Sequence, residues 1–351
     1  MAAFTGQLNV NHIQSALYNM IISQDILGGS IRNNYNLVDR AKDEAGLYGD
    51  TKLYIDVPNL TPTDWSQDSE DAINLLKLHR PDAPKTQALV INVFKQVALT
   101  KDDYLSKQAF GTQGAFVQYQ SILDSRLNKT KEVYLNKTYN TFLGNVTGEV
   151  SIEVDLAEGG NSAGENMAYA ISNLIDDMKD YNTKYTANGF ERAFGEDEIT
   201  IVWNNRFINA IKKIDLPSIF HDEALQKVFI GETLPSRYFG EENAHTTSVL
   251  GDRATKDLYL TTTTTGDTYV AAGDLIPAGL TITAGDAYTV DEDVICKVFT
   301  KLPPMLEAFS VGTSFFNAKN LSTNMYLTFG HSTLEALKSE AIVTMKKKAE
   351  L

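Results

Sequence analysis

The chain has 351 residues, 43% of them apolar, and its 45 acidic and 31 basic residues give a formal net charge of −14. This length and composition are typical of a folded protein with a sizeable core and exclude a disordered chain. The negative charge excludes a body that binds nucleic acid or anionic membranes through its overall charge.

The first residues predict an arm that leads into the fold. An amphipathic helical pattern, HIQSALYNMIISQDIL, ends at Gly28 and Gly29, and residues 30–48 are polar with little periodicity. Neither a signal-peptide pattern nor a run of about 20 apolar residues occurs in the sequence. We therefore expect a protein made and used in a reducing cytoplasm, in which the Asn-x-Ser/Thr motifs arise by chance. These motifs begin at Asn128, Asn136, Asn145 and Asn320.

Two strand patterns then flank a charged, proline-containing segment. The stretch TKLYIDVPNL (51–60) reads as a strand ended by Pro58, and TQALVINVFKQVAL (86–99) reads as a long strand. Together they predict an extended two-stranded ribbon with an elaborate tip. Because a two-stranded ribbon is marginally stable alone in water, it should pack on its own domain or on a neighbouring subunit.

A long helix is predicted next. Apolar and small residues recur every three or four positions from Phe116 to Phe142, while polar residues such as Lys131 and Glu132 point away from that stripe. Gly144 sits where a left-handed C-cap would fall. A helix over 115–143 would be roughly 40 Å long at about 1.5 Å per residue, so we expect a strut that crosses more than one packed region.

Strand and helix patterns alternate after this helix. GEVSIEVDL (148–156) alternates as a strand, and Ser162 with Glu165 forms a capping box at the start of the helix GENMAYAISNLIDDMKDY. ITIVWNN (199–205) is an apolar strand, and FINAIKKI follows as a short helix. This order predicts a mixed sheet with helices packed on it.

The last third of the sequence begins with a segment of different composition. Threonine runs and frequent glycines over 260–299 predict a small all-β lobe, in which the single cysteine, Cys296, is a buried strand residue. One cysteine excludes an internal disulfide and a multi-thiolate zinc site. MYLTFG (325–330) reads as a strand. The closing stretch, STLEALKSEAIVTMKKKAEL, predicts a helix with a Ser332–Glu335 capping box and Lys346–Lys348 as its solvated end.

No residue pattern predicts a catalytic, cofactor or metal site. The histidines are scattered without catalytic or metal spacing, and His221, which precedes acidic residues, is interpreted as a surface residue. The acidic runs 196–198 and 291–293 lack the spacing of a calcium loop and are interpreted as solvated. Phosphate-loop, dinucleotide and nucleophile-elbow motifs are absent from the sequence, so we expect a protein that is not an enzyme. The five histidines are His12, His79, His221, His245 and His331.

The window QALVINVFKQVALTKDDYLSKQAF (87–110), running into GAFVQYQSILDSRLNKTKEVYLNKTYNTFLG (114–144), resembles the major capsid protein of tailed bacteriophages, whose fold is shared with encapsulin shells. The resemblance implies an α+β fold with an N-terminal arm, an extended β-hairpin loop, a long spine helix in a peripheral domain, an axial domain and an inserted β-rich lobe. The stretch from Thr100 to Phe110 corresponds to the connector that enters the spine helix, and YLTFG to the return to the peripheral sheet. The lobe is a departure, because the minimal fold lacks it. The implied boundaries are 1–48 for the arm, 49–110 for the loop and connector, 111–150 with 300–351 for the peripheral domain, 151–254 for the axial domain and 255–299 for the lobe.

The same resemblance implies a function. Copies of the chain would form pentamers and hexamers of an icosahedral phage head that encloses double-stranded DNA, assembled in the host cytoplasm and located in the virion. Expected partners are scaffolding, portal and decoration proteins, with no cofactor and no membrane; no residue pair matches a covalent cross-linking motif. Two alternatives remain: an encapsulin-type compartment that holds a cargo enzyme, and a sugar- or metal-binding enzyme that uses Asp274 and Asp286 of the 260–299 lobe.

Overall fold

The computed structural model describes residues 37–348, with gaps at 45, 48, 63–77, 79, 103–112, 158–162, 209–230, 240–248, 251–252, 255–257, 263–265 and 271–292. Among the described residues the helices are α1 (Leu37–Ala41), α2 (Gln113–Asn145) and α3 (Ala163–Lys179); residues 205–208 are also helical, and Ser236–Tyr238 form a 3-10 turn. The first strands are β1 (Lys42–Glu44), β2 (Thr51–Asp56), β3 (Lys85–Asp102), β4 (Val150–Val154), β5 (Thr200–Asn204), β6 (Glu232–Leu234), β7 (Val249–Leu250) and β8 (Arg253–Ala254). The later strands are β9 (Leu258–Thr262), β10 (Gly266–Val270), β11 (Val294–Phe299), β12 (Met305–Glu307), β13 (Val311–Asn317), β14 (Ser322–Ser332) and β15 (Ile342–Lys347).

A six-stranded sheet is built around the long strand β3. Its order is β1-β12-β14-β3-β2, with β13 on β14. Residues 85–90 of β3 pair with β2, and residues 91–102 pair with β14. The strands predicted over 51–60, 86–99 and 325–330 are therefore confirmed. The predicted ribbon has partners within its own chain, because β14 extends it into a larger sheet.

The second sheet has five strands in the order β4-β15-β11-β5-β6 and mixes parallel with antiparallel pairs. Every residue of its central strand, β11, is buried, as expected for a strand covered on both faces. This confirms the predicted mixed sheet and the buried Cys296, whose thiol pKa is raised by desolvation. The pairing places β11 in this sheet, although the sequence boundary at 299 assigned it to the lobe. The division into domains stays a prediction.

Helix α3 packs on the five-stranded sheet. Its buried side chains recur at helical spacing and join strand residues in one apolar cluster. They are Met167, Ile171, Leu174, Ile175 and Met178. The helix predicted here is confirmed, whereas its predicted cap, Ser162, lies outside the described residues. The same holds for the first predicted helix, for FINAIKKI beyond Ile208 and for 271–292.

The last described element is a strand, and the predicted C-terminal helix is wrong. Residues Ile342–Lys347 form β15, which pairs with β11 on one side and β4 on the other. The hydroxyl of Ser332, in the six-stranded sheet, accepts a hydrogen bond from the backbone N–H of Leu306 and does not cap a helix. Two neighbouring strands offer β15 more buried contact than an isolated surface helix would have, so the local capping signal is overridden. Lys348 contacts Asp155 at 3.4 Å.

Helix α2 confirms the predicted long helix, and at about 1.5 Å per residue its 33 residues span about 50 Å. Four buried apolar side chains of its C-terminal part, Tyr134, Leu135, Tyr139 and Leu143, join a cluster with residues of both sheets. Leu127, farther towards the N-terminus, is also buried but lies outside that cluster. Lys131 was predicted to face away, but its Nζ contacts Glu307 at 2.5 Å, so it lies against the six-stranded sheet.

Gly144 is not a left-handed C-cap. Among the described residues, positive φ occurs at Gly49, Gly189 and Leu321, and α2 runs through Gly144 to Asn145. A Cβ atom at Gly144 would lie 1.8 Å from the carbonyl oxygen of Tyr238. The glycine is therefore required by the close approach of the 3-10 turn to the helix backbone.

Candidate assembly surface

One face of the six-stranded sheet exposes apolar side chains from three strands. Directly opposite residues of paired strands share a face, so the register places Leu53, beside Ala88, on the same face as Val90, which lies opposite Thr51. The register of β3 with β14 shifts by one residue at Asn92, but exposed and buried positions of β3 still alternate from Val90 to Phe94, so Phe94, opposite Gly330, lies on this face too. Val311 and Phe315 of β13 lie opposite Thr328 and Asn324 of β14, which lie opposite Gln96 and Thr100 of β3 on the same face. We call this surface the open sheet face. Its large apolar side chains are Leu53, Ile55, Val90, Phe94, Val311 and Phe315, each between 40% and 64% exposed.

The length of the open sheet face follows from β3. Its 18 residues span about 60 Å at roughly 3.3 Å per residue. Single exposed apolar residues are ordinary on protein surfaces. Six of them on one sheet face, with polar pairs such as Gln96–Thr328 among them, are typical of a surface that another molecule covers.

Along β3 and the adjoining part of β14, the opposite face of the same sheet is covered by its own chain. Leu89 and Ile91 of β3 pack with Leu306 and Leu337. Farther along, Phe329 meets Tyr134 of α2 edge-on at 5.6 Å, and Lys101 forms an ion pair with Asp124 of α2. Where β3 and β14 pair, the sheet is therefore backed by α2 and a small core, and the open sheet face is the side left to a partner, whereas β13 is exposed on both of its faces.

Phe94 is held in place on the open sheet face by a glycine across the strand pair. A Cβ atom on Gly330 would lie 2.8 Å from Cδ1 of the Phe94 ring. The ring thus occupies the space that a side chain at position 330 would fill.

The base of the ribbon is fixed to the segment between α3 and β5. Asp56, only 7% exposed, accepts a hydrogen bond from Asn188 Nδ2 at 2.5 Å and forms an ion pair with Arg192. Lys85 Nζ donates to the carbonyl oxygen of Asn188 at 2.5 Å and lies 5.1 Å from the Phe190 ring centroid. These contacts set the direction in which the ribbon leaves the body.

We expect Asp56→Asn to loosen the ribbon base. The neutral amide loses the ion pair to Arg192, and hydrogen bonds to charged groups are worth about 1.5–3 kcal/mol. Backbone amides of β2 should exchange with deuterium about tenfold faster or more, since about 1.4 kcal/mol corresponds to a factor of ten. Hydrogen-exchange mass spectrometry checks this. Asp82→Asn, an exposed carboxylate in the same ribbon, is the control. Equal exchange in the two variants would refute the anchoring role.

A buried lysine of β11 caps the C-terminal end of α2, and the sequence pattern did not predict this contact. Lys297 Nζ donates to the carbonyl oxygens of Gly144 and Val146, both at 2.6 Å, and its side chain is 2% exposed. The last carbonyls of a helix lack intrahelical partners, so an ammonium group there satisfies them. The signal was present, since Lys297 is a charge inside the otherwise apolar strand VICKVF.

A second buried polar pair joins α2 to β14. His331 Nδ1 lies 2.7 Å from the carbonyl oxygen of Ser332, which can only accept, so Nδ1 carries the proton. Nε2 of the neutral ring then accepts from the hydroxyl of Tyr134 at 3.1 Å. Desolvation by burial is the main cause that lowers the pKa of His331 below 6.5, assisted by Lys95 and opposed by the bond to Ser332 and by Glu307.

His331 should make stability depend on pH. Because its pKa is lower in the folded chain than the usual 6.5, the unfolded chain binds the proton more readily. The free energy of unfolding therefore falls as the pH is lowered through about 6.5 towards the folded-state pKa. We expect His331→Gln to weaken this dependence between about pH 7.5 and pH 5, measured by urea unfolding. Tyr134→Phe, which keeps the histidine, should retain it. Identical pH profiles for wild type and His331→Gln would contradict the assignment.

The other residues singled out in the sequence form no site among the described residues. The run Glu196–Glu198 is exposed, and Glu196 contacts Lys179 at 3.2 Å, as expected of a solvated run. Over the described ranges, no group of three His, Cys, Asp or Glu side chains could hold a metal ion. No described helix combines the length and apolar character needed to cross a membrane. Outside the described residues lie His12, His79, His221, His245, Asp274, Asp286, Asp291 and Glu292.

Two solved structures contain chains of the same fold. The capsid structure of Staphylococcus phage Andhra has a chain that matches with a TM-score of 0.63 at 12% identity, over 93% of this chain and 88% of that one. A chain in the structure of the head fiber and inner core protein gp22 of native bacteriophage P68 matches with a TM-score of 0.59 at 11% identity, over 93% and 91%. No protein-family model and no curated protein matches the sequence. The α+β prediction and the resemblance to phage capsid proteins are confirmed at the level of fold.

Proposed function

We propose that this chain, which has a fold found in a phage capsid, is the subunit of a self-assembling shell. Its copies form pentamers and hexamers that close an icosahedral phage head around double-stranded DNA. Within each subunit, α2 acts as the spine that carries the six-stranded sheet, and the ribbon of β2 and β3 reaches over a neighbouring subunit.

The observation that supports this proposal best is the open sheet face. It is long, carries six exposed apolar side chains and is backed by the chain's own helix, so it is a rigid surface that gains free energy when another subunit covers it. The free-energy gain is about 25 cal/mol per Å² of apolar area removed from water. An enzyme would need a pocket with convergent polar groups, whereas this surface is an open sheet face.

The net charge of −14 fits a container for DNA. A shell of acidic subunits does not bind the packaged DNA tightly or by sequence, because contacts with phosphates rely on Lys and Arg. We place the protein in the virion after assembly in the host cytoplasm. Scaffolding, portal and decoration proteins are the proposed partners, with no cofactor and no membrane.

Electron microscopy tests the proposal. The full chain, expressed alone or with its scaffolding partner, should give shells of megadalton mass, and a strictly monomeric product in both cases would refute it. Leu53→Glu places a charge on the open sheet face and should abolish the shells. Leu47→Glu changes a leucine that is 68% exposed, against 55% for Leu53, and that lies outside the strands of this face, so it serves as the control. Nucleic acid inside native particles supports a phage head, and a protein cargo would instead identify a compartment.

A further inference from the structure

Strand β13 is an open sheet edge with no protection against pairing. Among the described residues it pairs with β14 alone, and six of its seven residues are exposed. Natural edge strands are usually protected from pairing by charged residues, proline or a bulge. The sequence VGTSFFN has no charge and no proline, and its register with β14 is unbroken. An edge of this kind is typical of a strand that another strand covers.

We propose that β13 pairs antiparallel with β13 of a second copy of this chain, with the two Ser314 residues opposite each other. The inference deepens the proposed function, on which it rests, by naming one contact between subunits. A two-fold axis through Ser314 makes this contact self-complementary, since each pair of unlike residues occurs twice.

The side chains of β13 favour this register. Residues equally distant from Ser314 face each other, which places Phe316 of one copy beside Gly312 of the other. A Cβ atom at Gly312 would have no atom within 4 Å, and Phe316 is 54% exposed, so the ring has free space to fill. The same arrangement exists within the chain, where Phe94 packs over Gly330. The neighbouring position pairs Phe315 with Thr313, an aromatic residue beside a β-branched one.

The charge of the chain favours a second copy as the occupant. Two copies each carry −14, so they repel unless they meet where charge is low. The stretch from Ala308 to Ala318 contains no charged residue, and the nearest charges are Glu307 and Lys319. A partner of opposite charge would gain nothing from this uncharged edge, whereas a second copy pairs there without repulsion.

A single cysteine tests the register in the full-length protein. Directly opposite Cα atoms in an antiparallel pair lie about 4.5–5.5 Å apart, within the range that a disulfide spans. Under mild oxidation of the assembled protein, Ser314→Cys should therefore give disulfide-linked dimers on a non-reducing gel. Val311→Cys, equally part of β13, is the matched control, since its two copies would lie about 20 Å apart at roughly 3.3 Å per residue. The native Cys296 is fully buried and does not react.

We expect at least a tenfold excess of dimer for Ser314→Cys over Val311→Cys. Equal yields of the two variants, or no dimer from Ser314→Cys in chains with wild-type circular dichroism, would overturn the proposal. If a different segment or protein covers β13, Ser314→Cys should give no dimer although the chains are folded. Electron microscopy of the same samples separates this test from that of the proposed function. Shells without the Ser314 cross-link refute only the pairing, and cross-linked dimers without shells refute only the shell.

Discussion

Replacing Lys297 with methionine should destabilise the whole subunit by several kcal/mol. The substitution keeps an unbranched side chain of similar length and removes the ammonium group, so the carbonyl oxygens of Gly144 and Val146 lose the donor at 2.6 Å. A buried acceptor left unsatisfied costs about 1–3 kcal/mol, and two give about 2–6 kcal/mol. Relief of the desolvation of a buried charge offsets part of this and places the result in the lower half of that range.

The effect should extend beyond the helix end. Lys297 lies in the central strand of the five-stranded sheet, and the carbonyls it contacts end the helix whose apolar side chains join both sheets. Loss of this contact therefore weakens the connection between the sheets. Urea unfolding measures the change, and Lys301→Met, at an exposed lysine nearby, should stay within about 0.5 kcal/mol of wild type. Equal stability of both variants would show that Lys297 does not support the helix end.

Elements with a strong local pattern could be predicted from the sequence. Which side chains face the core determines the alternation in β2 and β3 and the helical spacing in α3. The apolar pattern of these segments is therefore sufficient to predict their secondary structure. The prolines that bound the ribbon and the uninterrupted periodicity of α2 act in the same way. The α+β class follows from their order along the chain.

Contacts between distant segments decided the remaining features. Residues 342–347 have a pattern compatible with either structure, and only the presence of β4 and β11 on both sides makes them a strand. Position 144 requires glycine because the backbone of Tyr238 approaches it closely. The residues around position 144 carry no pattern that predicts contact with a residue 94 positions away. For the same reason the partner of Lys297 could not be predicted, although an isolated charge in an apolar strand indicates that one exists.

The open sheet face was only partly predictable. A two-stranded ribbon is marginally stable in water, so the sequence predicts that the ribbon packs on a partner. The exposure of Leu53 and Ile55 follows from the alternation of exposed and less exposed residues in β2. No pattern in the sequence indicates that Val311 and Phe315 lie on the same face as Leu53 and Ile55. That inference requires the register of β13 on β14 and of β14 on β3, which places residues more than 200 positions apart on one face.

Replacing Leu127 with proline should abolish shells while leaving much of the subunit folded. Leu127 lies where α2 changes from an exposed to a buried segment: Val117 is 57% exposed, whereas Tyr134, Leu135 and Tyr139 are buried. Proline at 127 removes the hydrogen bond to the carbonyl of Leu123 and collides with that group, at a cost of about 3 kcal/mol or more. The C-terminal part of α2 keeps its apolar contacts with both sheets, so the break should remain local.

The expected loss of assembly follows from the direction of the helix. The N-terminal part of α2 is tied to β3 by the ion pair between Asp124 and Lys101, so a kink at 127 displaces the end of the strand that bears the open sheet face. Leu127→Ala is the matched control, since it removes about 2–5 kcal/mol of apolar packing but keeps a straight helix. Urea unfolding should show a stability loss for both variants, larger for proline, and electron microscopy should show shells for alanine alone. Normal shells from Leu127→Pro would mean that the straight helix is not needed for assembly, because a kinked subunit would then fit the same lattice.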